Sequence, residues 1–512
     1  MEAAKRVVAV LEIGSAGIRF LIAEIGPCEQ WKVLDQAGRA VALGKDVFDS
    51  GEVSRESLLE CLAVLRGYAE LLAAWGIDKR DVRVIATSAI RAARNRDMFV
   101  DRVRQETGFL ISVVEGIEEN RLMYLAVRYA LKNDLPQFRR GNVMIIEVGG
   151  GSTEIMLLRR GKMVAAHSLR LGTIRVGQQF RLDSDALRAQ AHYLRDNVRS
   201  TSGFLSVEMD LAHVGTVVIS GTAARILAAK KGTELNRDCR IIGREDYIQL
   251  VEEIRHYTPE DCVRNLQIPY ADAGGFVLGN LVYRYFLERT SAETVAVPNV
   301  SIREGLVIDM ARGVEPELQE EFFSQIIASA VNLGRKYRFD EAHNIHVAML
   351  CIQLFDALVK EHGMNRRERM MLEAAASLHD VGTFIRGSGH HRHGQYIVSN
   401  SEIFGLHQEE MNIIGNVVRY HRGDPPSESD IDYIALERED RILVLKMASI
   451  LRLADALDRG HTQRIKSIRV ERRNETILIH TGGELNLSSE RVGLEEKADL
   501  FQDVFGYQVI LA

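Results

Sequence analysis

Cysteine, long apolar runs and an excess of positive charge are all scarce here, and each shortage removes a class of protein. Five cysteines (Cys28, Cys61, Cys239, Cys262 and Cys351) are scattered through 512 residues with no paired spacing. That pattern argues against a disulfide framework and fits reduced thiols in the cytosol. The apolar run after Lys5-Arg6 stops at Glu12, too short for the core of a signal peptide, and no later run could span a membrane. A cytoplasmic protein is the expectation. The formal charge of −6 offers no broad basic surface for nucleic acid, so a phosphate-rich partner would need a local basic cleft. No segment is of low complexity. What remains is a globular composition, 46% hydrophobic and 27% charged, in a chain long enough for two or more domains.

One stretch organises the rest. Asn142-Val-Met-Ile-Ile-Glu-Val148 is a β-branched apolar run carrying a carboxylate at Glu147; Gly149, Gly150, Gly151, Ser152 and Thr153 follow, then a second apolar run to Leu158. Strand, glycine turn, strand is the simplest reading. A bare backbone can approach a ligand closely, and successive N–H groups with nearby hydroxyls can converge on an anion; a hairpin with a Gly-rich turn is the plain alternative. The N-terminus repeats the idea: Val7–Leu11, Glu12, Gly14-Ser15-Ala16-Gly17 and another apolar run, about 135 residues earlier. A third loop, Ser220-Gly221-Thr222, joins a buried strand to a helix whose N-terminal amides suit an anion. Together the three loops suggest a duplicated fold that clamps phosphate between its halves.

These segments, with Thr87-Ser-Ala-Ile-Arg-Ala-Ala-Arg-Asn95 and Ser301-Ile-Arg-Glu-Gly-Leu306, resemble the exopolyphosphatase / guanosine pentaphosphate phosphohydrolase (Ppx/GppA) family across residues 6–312, in that family's order and spacing. The resemblance implies an α/β fold of two actin-like, ribonuclease-H-like lobes, residues 1–130 and 131–312, with substrate in the cleft. It implies a general base at the second glutamate of Glu118-Glu119; first-turn helix capping would also account for both residues. On this reading Gly14, Ser15, Gly149, Gly150, Gly151, Ser152, Gly221 and Thr222 hold phosphate. Arg19 and Arg91 neutralise its charge, Glu119 activates water, and Glu12 or Glu147 holds Mg²⁺. This chain departs from the family in having glutamate for aspartate at Glu12 and Glu147, and Ala16 for asparagine or a larger residue. Asp272-Ala-Gly-Gly stands near the arginine-containing segment of many relatives.

Arg312-Gly-Val-Glu-Pro-Glu317 reads as a linker, and residues 313–465 as an all-helical domain with its own constellation. His343, His379-Asp380 and Asp455 resemble the HD phosphohydrolase pattern of a divalent-metal site, and imidazole with carboxylate suits Mn²⁺, Fe²⁺ or Zn²⁺. Asp380 could bridge to a second ion, with His390 and His421 as further candidates; a purely structural, dimerising helical module is the alternative. His346, His391, His393 and His461 read as surface or locally hydrogen-bonded residues. Alternating segments at 467–472 and 476–481, with a third at 504–512, suggest a small C-terminal β subdomain over 466–512.

The expected function is hydrolysis of a phosphoanhydride, releasing terminal phosphate from inorganic polyphosphate or guanosine pentaphosphate by a homodimer without membrane or specific nucleic-acid partners. Two alternatives stay open. One is a metal-dependent nucleotide phosphohydrolase acting in the helical domain, with the front lobes as sensor. The other is a non-catalytic polyphosphate- or alarmone-binding protein. An actin-like sugar kinase fits less well, since no segment reads as a sugar pocket.

Overall fold

The run after Arg6 forms a strand because Val8, Ala9, Val10 and Leu11 are fully buried, as in a sheet covered on both faces. In the computed structural model, which describes residues 6–26, 31–131, 134–180, 186–312, 316–482 and 487–512, this strand is β1 (Arg6–Gly14). It continues into β2 (Gly17–Ile25) and β3 (Trp31–Ala40), and β4 (Val82–Ala86) and β5 (Ile111–Val113) complete a sheet of order β3-β2-β1-β4-β5. β1 to β3 form an antiparallel meander, and β4 and β5 join in parallel. The second lobe repeats this topology with β6 (Asn142–Val148), β7 (Thr153–Arg159), β8 (Lys162–Leu169), β9 (Thr216–Ser220), β10 (Thr233–Asn236), β11 (Cys239–Gly243) and β12 (Thr294–Pro298). Its order is β8-β7-β6-β9-β12, extended by β11 and β10. β6 pairs antiparallel with β7 and parallel with β9, as β1 does with β2 and β4. Glu12 and Glu147 therefore occupy corresponding central strands, each just before its glycine turn.

Helices cover both sheets. Helix Arg55–Ala74 begins where the sequence places it, with the Ser54 hydroxyl accepting from the Ser57 N–H at 3.1 Å. Helix Gly116–Leu131 carries Glu118 and Glu119 in its first turn. The strand expected over 110–115 is shorter, because only Ile111–Val113 pairs with β4.

The chain divides into two compact units, Met1–Glu320 and Glu321–Ala512. The boundary falls after the linker read at 312–317, because helix Pro316–Lys336 starts inside that linker; residues 313–315 lie outside the described residues, as does Cys28. The second unit packs helices Glu341–Ala357, Arg366–Leu378, His390–Ser399, Gln408–Tyr420 and Arg438–Ala456 around one apolar core. Its sheet has β13 (Ile468–Arg473) and β14 (Thr476–Thr481) antiparallel, and β15 (Gln508–Leu511) parallel to β14. Ile477, Ile479 and Leu511 bury into that same core, so residues 466–512 are continuous with the helices. Val504 and Phe505, expected to open the third strand, instead end helix Asp499–Phe505, which buries Leu500 and Phe501. Among the described residues no helix is long and apolar enough to cross a membrane. Cys61, Cys239, Cys262 and Cys351 are free and buried.

Candidate active site

Three turns meet at one cleft of the first unit. Glu12, Gly14, Ser15 and Arg19 face it from the first hairpin, Glu147, Gly149, Gly150 and Ser152 from the second, and Gly221 and Thr222 from the third loop, with Glu119 at its side. The turns are locked together. Ser15 and Ser88 hydroxyls lie 3.1 Å apart, the Gly149 and Gly150 carbonyls accept from the N–H groups of Thr173 and Ile174 at 3.0 and 2.9 Å, and the Gly151 carbonyl accepts from Arg175 Nε at 3.0 Å. Carbonyls of the second turn thus point away into the fold. Among the described residues the Gly150 and Gly151 N–H groups have no acceptor within the protein.

Two glycines are required by space. A Cβ on Gly151 would lie 2.3 Å from Ser88 Oγ, and Gly221 adopts φ +130° with its absent Cβ 2.8 Å from Tyr283 Oη. Tyr283 ties the second and third turns: its hydroxyl donates to the Ser220 carbonyl and accepts from the Val148 N–H at 3.0 Å. Gly221 then opens helix Thr222–Lys231, whose first-turn amides are free of intrahelical partners.

Four glutamates line the cleft, and burial disfavours charge on three of them. Burial pushes Glu147 up to about 8, with the charges of Glu119 and Glu12 adding and Arg225 and Arg19 opposing. Glu119 is raised by burial against the pull of Arg91, whose Nη1 donates to Glu119 Oε1 at 2.5 Å. Glu154, opposite Glu147 on β7, is raised well above the usual range by burial and by Glu119. It accepts from Ser168 Oγ at 2.8 Å and Asn120 Nδ2 at 3.1 Å. Glu12 sits between two guanidinium groups, Arg303 at 3.4 Å and Arg19 at 3.7 Å.

Two expected phosphate ligands lie elsewhere. Arg91 is not among the cleft-lining residues: besides Glu119, its Nη1 donates to the Val114 carbonyl at 2.5 Å, because the strand–helix junction at 113–116 wraps its guanidinium. Gly151 backs onto Ser88 and Phe48, so its neighbours Gly150 and Ser152 line the cleft.

The second unit holds its own cluster at converging helix ends. His379, His390 and His421 each turn Nδ1 back to the carbonyl three residues earlier, on Ala376, Gly387 and Val418, at 2.8, 2.8 and 2.7 Å. His343 Nδ1 meets Asp458 Oδ2 at 2.8 Å. His343 Nε2 lies 3.6 Å from Asp455 Oδ1 and 3.9 Å from Asp380 Oδ2; His379 Nε2 lies 3.8 and 3.7 Å from the same oxygens. Both Nε2 atoms are buried without a hydrogen-bond partner. Lys497 pairs with the other oxygen of Asp455. His461 stacks on His343 with ring centroids 3.6 Å apart and pairs with Asp340, whereas His346, expected at the surface, is buried.

The Ppx/GppA phosphatase family model matches residues 21–313, and the model of Ppx/GppA phosphatase domain III matches residues 327–503. The chain belongs to the Ppx/GppA phosphatase family. It is 24% identical over 434 residues to a guanosine-5'-triphosphate,3'-diphosphate pyrophosphatase of Pseudoalteromonas translucida (strain TAC 125), covering 82% of this chain and 81% of the relative. It is 27% identical over 305 residues to exopolyphosphatase 1 of Mycobacterium leprae (strain TN), covering 58% and 88%. In fold it is similar to an exopolyphosphatase from Cytophaga hutchinsonii (TM-score 0.55, 18% identity, 60% of this chain and 99% of that one). It is likewise similar to the Aquifex aeolicus Ppx/GppA family member (TM-score 0.50, 23% identity, 62% and 99%). The two lobes are the actin-like pair of this family.

Within the Ppx/GppA cleft, three residues carry more than the sequence disclosed. Arg225 faces the cleft one turn after Thr222, with Nη2 3.3 Å from Thr222 Oγ1; burial lowers its pKa, opposed by Glu304. Its spacing from the Ser220-Gly-Thr loop was the available signal. Arg303 reaches Glu12, while Glu304 accepts from the Ser301 N–H and hydroxyl at 2.7 and 2.6 Å, so the two neighbours do not pair with each other. Glu154 closes the Gly-Gly-Gly-Ser-Thr-Glu motif, where alternation puts it on the face of the β6–β7 ladder opposite Glu147 in register.

Proposed function

We propose that the cleft of the first unit hydrolyses a phosphoanhydride, releasing terminal phosphate from inorganic polyphosphate or guanosine pentaphosphate. The supporting observation is the convergence of three glycine–hydroxyl turns on a cluster of buried glutamates. Backbone N–H groups of the second turn and of the Thr222 helix, with the Ser15, Ser152 and Thr222 hydroxyls, bind phosphate oxygens. Arg19, Arg225 and Arg303 supply positive charge in a cleft of an otherwise acidic chain. Glu119 is the general base. Its raised pKa brings it nearer working pH, and the Arg91 hydrogen bond fixes the carboxylate that accepts the proton as water oxygen adds to the terminal phosphorus and the P–O anhydride bond breaks.

A hard divalent cation fits the donor set. Glu147 is pushed up to about 8 because burial and two neighbouring carboxylates leave its charge uncompensated, and Mg²⁺ favours such oxygens. Glu147 and Glu12 would hold it, and a bound Mg²⁺ supplies charge stabilisation to the transferred phosphoryl oxygens. The first relatives carry names for both substrates, so substrate choice is part of the proposal. Phosphate release with Mg²⁺ from each substrate tests it, and the faster names the preference. Tight binding of either without release would overturn hydrolysis in favour of a binding protein.

A second reading concerns the helical unit. Two buried imidazole nitrogens without partners, aimed at Asp380 and Asp455, favour a metal ion held by His343, His379, Asp380 and Asp455. The ligand atoms lie 3.6–3.9 Å apart, near the spacing of on the order of 3–3.6 Å between ligands around an ion bound at ~2.1 Å. Nitrogen and carboxylate donors suit Mn²⁺, Fe²⁺ or Zn²⁺.

A further inference from the structure

The single-ion reading of the helical unit leaves two buried imidazoles, His390 and His421, and one carboxylate oxygen unexplained. His390 Nε2 lies 2.9 Å and His421 Nε2 3.7 Å from Asp380 Oδ1, and the two nitrogens face each other at 3.3 Å. The Nδ1 atom of each points at a backbone carbonyl, which only accepts. Each neutral ring must therefore carry its proton on Nδ1, leaving an Nε2 lone pair. Two lone pairs and a carboxylate oxygen then converge where neutral rings offer no donor. Groups converging in this way repel unless a cation sits among them.

We propose that the helical unit holds two divalent transition-metal ions bridged by Asp380. His343, His379 and Asp455 complete the first site beside Asp380 Oδ2, and His390 and His421 complete the second beside Asp380 Oδ1. The inference rests on the single-ion reading and extends it. Its support is the arrangement around each ligand as much as the ligands themselves. All four histidines have the other ring nitrogen fixed by a carbonyl or carboxylate, the outer-shell pattern that orients metal-binding imidazoles. Lys497 takes the far oxygen of Asp455, leaving Oδ1 for the ion. The donor set, imidazole with carboxylate, selects Mn²⁺ or Fe²⁺ ahead of Ca²⁺. The imidazole side chains are 0–7% exposed, while those of Asp380 and Asp455 keep 14% and 11%. Solvent thus reaches the pair from the carboxylate side, where open coordination positions would accept water or an oxyanion.

The full-length protein, stripped with a chelator, loaded with Mn²⁺ and passed through gel filtration, tests this by metal analysis and low-temperature electron paramagnetic resonance. Two ions per chain with an exchange-coupled spectrum are expected, because a bridging carboxylate couples the spins. His421→Asn and His390→Asn are each expected to retain one ion with an uncoupled six-line spectrum. Two uncoupled ions in the wild type would mean that the second ion sits elsewhere, and would overturn the proposal. One ion or none would overturn it too, one leaving the single-ion reading standing and none removing both. A coupled pair that survives both substitutions would refute the ligand assignment. Since the wild-type spectrum decides the main point, misfolding of a variant does not rescue it. Failure here leaves phosphate release in the first unit untouched, and the two proposals fail separately.

Discussion

Glu147→Gln should stabilise the first unit in a pH-dependent way when no divalent ion is present. The Glu147 carboxyl is raised in the folded state from 4.5 to about 8, so folding favours its protonated form. Below pH about 4.5 the folded and unfolded chains both carry the proton, and the wild-type residue and glutamine differ little. As pH rises toward about 8, the unfolded chain ionises freely while the folded one resists, and that stability is lost. At about 1.4 kcal/mol per pH unit, the gap between 4.5 and about 8 sets a ceiling of roughly 5 kcal/mol. Glu147 is only half-buried by its surface, and screening at such a site reduces the expected effect to about 1–2 kcal/mol. The variant should therefore melt roughly 2–4 °C higher than wild type at pH 9 in chelator, with the difference vanishing near pH 4.5. Thermal scans across that range measure it. Excess Mg²⁺ should raise the wild type toward the variant, because an ion would compensate the carboxylate. A Tm difference independent of pH would refute the reasoning, since it would trace to packing and not to charge.

Tyr283→Phe removes the hydroxyl that ties the Ser220 carbonyl to the Val148 N–H. It should cost about 1–2 kcal/mol of stability and lower kcat/KM for phosphate release without touching substrate, read by denaturation and steady-state kinetics. Gly151→Ala forces a methyl to within 2.3 Å of Ser88 Oγ, so about 1–3 kcal/mol of destabilisation is expected from the melting curve. Asn365→Ala deletes the cap that accepts from the Arg367 and Glu368 N–H groups; unfolding of the helical unit should ease by about 1 kcal/mol while phosphate release in the first unit holds.

The repeat of carboxylate and glycine turn was legible because two backbones obey the same constraint. A strand buried on both faces must be apolar, and a turn that meets another turn must lack side chains. Glu12 and Glu147 stand on corresponding strands for that reason. Ser54 announced its helix because a hydroxyl before an apolar 3.6-residue pattern has a cap to form. Arg91 misled because an arginine after a strand reads alike whether it faces phosphate or a buried carboxylate, and only tertiary packing brings Glu119 to it. Arg225 and Arg303 were quiet for the converse reason: each sits in an ordinary helical turn, and its meaning comes from what lies across the cleft. In the helical unit the ligand residues were visible as His and Asp at wide spacings. Their orientation was not, since it depends on carbonyls at helix ends that accept from each Nδ1.

The most direct measurement is phosphate release from long-chain polyphosphate and guanosine pentaphosphate by wild type, Glu119→Gln and Asp380→Asn, each with substrate binding measured in parallel. The account predicts that Glu119→Gln loses on the order of 10²–10⁴ in rate while binding substrate as before, and that Asp380→Asn releases phosphate at the wild-type rate. Release that survives Glu119→Gln and disappears in Asp380→Asn would contradict it and move the chemistry to the helical unit.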